Sequence, residues 1–202
     1  MFQHYLITRF NLKKEGWDTS KNNIPVLTEE WLERRFKLFE SFCFPSVKHQ
    51  SNQNFTWLVY FDVDTPKTFK DRILGLSLGY PKFQPRFVEN MKAFVPAIQE
   101  ELSKVTSEYL ITSRIDNDDC IAYNFIADIQ KRFVEKNHWA FDYADGFTLQ
   151  ISPKFRLGKK RQLWNPFISL IEKNEQPKSV WQKGHADWKL DPLVERINNK
   201  RL

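Results

Sequence analysis

The run Phe55-Thr56-Trp57-Leu58-Val59-Tyr60-Phe61 carries a large apolar or β-branched side chain at every position and stops at Asp62. An amphipathic helix needs a polar face at a period of 3.6, and a half-buried strand needs a polar residue at every second place. This run offers neither, so it fits a strand covered on both faces, as in a parallel sheet with helices on either side. Tyr5-Leu6-Ile7-Thr8-Arg9-Phe10 and Tyr109-Leu110-Ile111-Thr112-Ser113-Arg114-Ile115 read as two further strands.

Amphipathic segments lie between them. Thr28 is placed to cap a helix whose apolar positions Trp31, Leu32, Phe36 and Phe39 recur at helical spacing. Thr65-Pro66 reads as a cap followed by proline at the first helical position. A shorter strand is expected near Phe83–Val88 and a helix from Pro96 to Val105. Another helical face runs along Ile121, Phe125, Ile126, Ile129 and Phe133. Asp145-Gly146, between Trp139-Ala140-Phe141 and Phe147-Thr148-Leu149-Gln150-Ile151, is the strongest hairpin signal in the chain. From Ser152 the pattern turns irregular, basic and proline-punctuated. The expected class is α/β: one domain over 1–202, with a core over 1–151 and an irregular basic arm over 152–202.

Composition narrows the function classes. Of 202 residues, 41% are hydrophobic and 28% charged, which excludes a disordered polymer. Residues 1–150 hold 19 Lys and Arg against 20 Asp and Glu, whereas residues 151–202 hold 12 against 5. That basic tail suits phosphate, nucleic acid or an acidic membrane surface, or is a solvated face. No apolar run approaches the roughly 20 residues that span a bilayer. The N-terminus lacks the marks of a secretory leader, and Cys43 and Cys120 show no disulfide or metal spacing. A reducing, cytoplasmic address is the expectation.

Candidate chemistry gathers at strand ends. Asp116-Asn117-Asp118-Asp119 follows the strand ending at Ile115, and in open α/β sheets ligands bind beyond the carboxyl ends of strands. Asp116 and Asp118 suit a hard cation held jointly with substrate phosphates, or alternatively an acidic turn that caps the next helix. Asp62 ends the second strand, as either a nucleotide contact or a structural residue. Thr8, Arg9 and Asn11 end the first, where Arg9 suits a diphosphate or a surface ion pair. His185, among Trp181, Gly184 and Trp188, could complete a metal site, and Lys183 is a phosphate-contact candidate. No G-x-G-x-x-G, P-loop or G-x-S-x-G motif occurs, which removes typical dinucleotide enzymes, P-loop ATPases and serine hydrolases.

Three segments together carry a resemblance: Leu6-Ile7-Thr8-Arg9-Phe10-Asn11, Phe55 through Asp62, and Thr112-Ser113-Arg114-Ile115-Asp116-Asn117-Asp118-Asp119. With Pro45-Ser46-Val47-Lys48-His49-Gln50 and Asn165 through Glu172, they make the chain, from residue 6 to about 188, resemble the rhamnosyltransferase family of A-type-fold, nucleotide-sugar-dependent glycosyltransferases. The resemblance implies a Rossmann-like, mostly parallel sheet flanked by helices. It also implies Mn²⁺ or Mg²⁺ on the D-x-D acids Asp116 and Asp118, extended by Asp119, with His185 as the C-terminal metal ligand. Thr8, Arg9, Asn11, Asp62, Arg114, Asp116 and Lys183 are then the donor-binding set.

Glycosyl transfer through an oxocarbenium-like centre also asks for a carboxylate base if it inverts; Glu172 is the first candidate and Asp145 the second. The expected partners are a nucleoside-diphosphate sugar and a glycan or lipid-linked glycan acceptor. No nucleic acid is expected, and the basic arm suggests peripheral contact with the inner membrane. Two other readings stay open. One is a metal-dependent nucleotidyltransferase or nuclease using the same acids. The other is a non-enzymatic module binding nucleic acid or acidic glycan through Trp164, Trp181, Trp188 and the surrounding cations.

Overall fold

The apolar run becomes strand β2, Thr56–Asp62, buried at every position except its first residue. In the computed structural model, which describes residues 1–20 and 23–198, it lies inside a seven-stranded sheet. The first four strands are β1 (Phe2–Arg9), β2, β3 (Phe83–Val88) and β4 (Tyr109–Arg114). After them come β5 (Trp139–Tyr143), β6 (Asp145–Gln150), β7 (Arg156–Arg161), β8 (Ser169–Lys173) and β9 (Val194–Ile197). The large sheet has the order β3-β2-β1-β4-β8-β5-β9, and β6 and β7 form a separate two-stranded sheet. β1 pairs in parallel with both β2 and β4, β2 with β3 and β5 with β9; among the described strands of the large sheet only β8 runs against its neighbours.

Helices cover both faces. On one lie α1 (Glu29–Leu38), α2 (Phe44–Lys48), α3 (Lys67–Gly79) and α5 (Phe125–Lys131), packing Phe36, Phe44, Phe69 and Ile126 against Leu6, Trp57, Val59 and Ile111. On the other, α4 (Met91–Ser103) packs Phe94, Ile98 and Leu102 on Ile7, Leu58 and Leu110. Trp181 and Trp188, from two short 3-10 turns, complete that layer. Thr28 caps α1 as its spacing predicts, accepting from the Trp31 N–H at 3.2 Å.

Four local expectations are corrected. Pro66, not Thr65, is the cap of α3, because the Thr65 hydroxyl donates to Asp62 O at 2.6 Å. α4 starts at Met91 rather than Pro96: the Asn90 side chain accepts from the Lys92 and Ala93 N–H groups, and Pro96 falls inside the helix. α5 is shorter than its apolar pattern, leaving Ile121 and Phe133 outside it. Asp145-Gly146 is not a turn but opens β6, which pairs with β7. The reason is that β5 already has both edges occupied, by β8 and β9, so the chain must leave the large sheet after Tyr143.

The segment after 151 is irregular in its connections, yet it supplies β8 to the middle of the sheet. Its backbone pairs Ser169 with Ser113 and Glu172 with Leu110. Cys43 and Cys120 are both free thiols. No helix among the described residues is long and apolar enough to cross a membrane.

Candidate active site

The sheet order reverses between β1 and β4: the chain steps from β1 outward to β3, then crosses back to place β4 on the other side of β1. Such a reversal opens a crevice at the carboxyl ends of the two strands, because their following loops diverge. Arg9 ends β1 and Arg114 ends β4, so both guanidinium groups are carried to that crevice.

Arg114 is 97% removed from solvent on the face of Trp181, its guanidinium carbon 3.7 Å from the ring centroid. Arg9 approaches the same ring at 5.5 Å. Trp181 is fixed by its Nε1–H, which donates to Ile7 O at 3.3 Å, and by an edge-on contact with Phe94 at 5.0 Å. Burial lowers the Arg114 pKa, Asp116 raises it, and Arg9 lowers it again. Its bond to Asp116 Oδ1 is long, 3.4 Å, and its Nε is buried with no hydrogen-bond partner among the described residues. With one long carboxylate bond and an unpartnered Nε–H, Arg114 keeps donor capacity that an anion would satisfy.

The acid turn faces that pair. Asn117 is buried and structural, its Nδ2 donating to Phe10 O at 2.9 Å and so tying the turn to the exit of β1. Arg35 of α1 donates to Asn117 Oδ1 at 3.3 Å and pairs with the exposed Asp118. Burial, then Asp116 and Asp118, push the Asp119 carboxyl up to about 7. Crowded hard oxygens of this kind fit a divalent cation, whose remaining ligands a diphosphate can supply. Among the described residues no three His, Cys, Asp or Glu side chains are grouped to hold a metal by themselves.

The other sequence candidates fall in different places. Thr8 is fully buried and accepts from Trp57 Nε1 at 2.9 Å on the opposite face of the sheet. Asp62 and Asn11 are buried at the strand exits. Asp62 accepts from the Lys13 N–H at 3.2 Å and the Asp64 N–H at 2.9 Å. Asn11 accepts from the Asp62 N–H at 3.2 Å and donates to Thr65 Oγ1 at 3.0 Å. These bonds fasten the exits of β1 and β2.

Lys183 donates to Asp191 at 2.8 Å and lies over Trp188. His185 Nδ1 bonds Trp164 O at 2.6 Å, on the residue whose N–H donates to Asp142. Glu172 lies level with Leu110, at the far end of β4 from Arg114, and accepts from the Lys178 and Ser179 N–H groups at 3.0 and 2.8 Å. Asp145 follows β5 at the same end of the sheet as the crevice and pairs with Arg161 at 3.4 Å.

Two contributors escape the sequence reading, Arg35 and Asp142; Trp181 enters it only as an aromatic of the basic arm, and Arg35 is one of several helical cations. Asp142 carries a faint signal, an acid inside the apolar stretch Trp139–Tyr143. It is fully buried, accepts from the Trp164 N–H at 3.0 Å, and burial raises its pKa.

The family model described as "Putative rhamnosyl transferase" matches residues 3–198. The chain belongs to that family. No curated protein sequence matches it. Among solved structures, Staphylococcus aureus TarS 1–349 aligns over 98% of this chain and 58% of its own, at 12% identity and a TM-score of 0.52. A longer S. aureus TarS chain aligns over 98% and 35%, at 12% identity and 0.53. TarS 1–349 in complex with UDP aligns over 98% and 58%, at 11% identity and 0.50. This member of the rhamnosyl transferase family thus spans little more than half of TarS 1–349. It has the Rossmann-like A-type glycosyltransferase fold.

Proposed function

We propose that the chain moves a sugar, rhamnose by the family's description, from a nucleoside-diphosphate donor to a glycan or lipid-linked glycan acceptor. The observation that carries this reading is the convergence of Arg9 and Arg114 on Trp181 beside Asp116, at the point where the strand order reverses. Family membership and the UDP complex of a chain with this fold support it.

In this reading the two guanidinium groups take the diphosphate oxygens, for which their paired N–H groups are suited. Asp116 and Asp118, with Asp119 behind them, would hold Mn²⁺ or Mg²⁺ against the same diphosphate. When bound, the ion supplies charge stabilisation for the departing nucleoside diphosphate. A base that takes the acceptor's hydroxyl proton must reach substrate. Asp145, at the crevice end and one-fifth exposed, is assigned that role ahead of the enclosed Asp142 and the distant Glu172.

The test is a thermal-shift panel of nucleoside diphosphates and their sugars, with and without Mn²⁺, on the parent and Asp118→Ala, followed by assay of nucleoside diphosphate release. A ligand at about 100 times its Kd adds roughly 2.7 kcal/mol, on the order of 5–10 °C for a chain of this size. A metal-dependent shift with one nucleotide, lost in Asp118→Ala, is expected. Release of pyrophosphate from triphosphates in place of nucleoside diphosphate would replace sugar transfer by nucleotidyl transfer.

A further inference from the structure

The β6–β7 hairpin is a two-stranded sheet with an uncovered apolar face. Strand alternation and the pairing of Phe147 with Lys159 and Leu149 with Leu157 place Phe147, Leu149 and Leu157 on one side together with Lys159, and Ile151 and Phe155 flank the connection between the two strands. All five are exposed, Phe155 by 73% and Leu157 by 68%. The opposite face carries Gly146, Thr148, Gln150, Arg156, Gly158 and Lys160. Lys154, Arg156, Lys159, Lys160 and Arg161 put five cations into eight consecutive residues that contain no acid. A two-stranded hairpin gains little from its own burial, and a contiguous exposed apolar face on a soluble domain marks a docking surface.

We propose that this hairpin docks the protein on an anionic lipid bilayer. The apolar side chains enter the headgroup–acyl boundary, and the flanking cations meet lipid phosphates. Charge complementarity selects this occupant. A second copy laid on this hairpin would bring two acid-free basic segments, 154–161, together, whereas an anionic surface neutralises that charge while accepting the apolar strip. The hairpin leaves the large sheet directly after β5 and returns through Gln162, whose N–H bonds Ala144 O at 2.8 Å. β5 runs in the same direction as β4, so the hairpin is rooted at the end of the sheet that carries Arg9 and Arg114. Docking therefore holds that crevice near the bilayer. Resting on the transferase reading, it selects an acceptor anchored in lipid over a soluble one.

The experiment is vesicle co-sedimentation of the full chain with phosphatidylcholine alone and with added phosphatidylglycerol, at low and high salt, without donor or metal. The parent should bind the anionic vesicles at least about tenfold more strongly than the neutral ones, and less at high salt. Phe155→Ser with Leu157→Ser, and separately Lys159→Glu with Lys160→Glu, should each lose about tenfold with unchanged unfolding midpoints, since all four sites lie on the hairpin surface. Absence of binding, equal binding to both lipids, or variants that bind like the parent would overturn the proposal. So would a dimer in sedimentation velocity that the serine pair abolishes. Because no nucleotide is present, failure here leaves the donor-binding result standing, and the converse holds.

Discussion

The guanidinium carbon of Arg114 lies over the indole of Trp181, 3.7 Å from the ring centroid, so a side chain from the C-terminal segment roofs the end of β4. Removing the ring would open a cavity and leave a buried cation uncovered. Trp181→Ala is expected to cost about 3–5 kcal/mol, and Trp181→Phe, which keeps a π face for the cation, about half of that. Urea midpoints of the two variants read the difference. An alanine variant as stable as the parent would remove Trp181 from the support of the crevice.

Asp62 makes a second, sharper case. Its carboxylate satisfies the backbone N–H groups of Lys13 and Asp64 where two strands leave the sheet. Asp62→Ala strands both donors and should destabilise by about 2–3 kcal/mol, with any change in nucleotide affinity following the loss of fold. Thermal unfolding alongside a nucleotide titration checks this. A variant of full stability with weakened nucleotide binding would instead make Asp62 a donor contact.

What the sequence disclosed and what it hid divide along a physical line. Strands β1, β2 and β4 and the acids after β4 are legible because burial on both faces writes a continuous apolar run, which ends abruptly in charge. The cap at Thr28 is legible because it is a local hydrogen bond. The position of β8 is not local: Ser169–Lys173 is specified by two neighbours far along the chain, and nothing near it announces an antiparallel strand between β4 and β5. The same holds for the Asp145-Gly146 signal, overruled because β5 spends both edges elsewhere, and for Trp181, whose role exists only through Ile7, Phe94 and Arg114. Glu172 looked chemical because an acid ends an apolar run, but the reversed direction of β8 carries it away from the crevice.

Glu172→Gln follows from that reversal. The carboxylate accepts two backbone N–H groups, and an amide would turn one NH₂ against a donor. A stability loss of about 1–3 kcal/mol is expected, with kcat unchanged at a temperature where the variant stays folded. A hundredfold fall in kcat with an intact unfolding midpoint would place Glu172 in the chemistry after all.

His4 predicts how the fold responds to acid. The imidazole is buried, with Nε2 2.8 Å from Ser113 Oγ, and Gln130 Nε2 donates to Nδ1 at 3.2 Å, so the neutral ring carries its proton toward the serine. Burial holds its pKa at about 3 against 6.5 for an open imidazole. The folded value is the lower one, so as pH falls below 6.5 the unfolded chain takes up a proton that the folded chain refuses. The stability from this site is full above that pH, declines as the pH falls, and is exhausted near 3, where the folded ring also protonates. Between pH 7 and pH 5 the loss amounts to about 2 kcal/mol. His4→Gln has no proton to gain, so its urea midpoint should fall less than the parent's over the same interval, by the denaturant equivalent of that energy. Parallel midpoints in the two proteins would show that His4 does not set the acid limb.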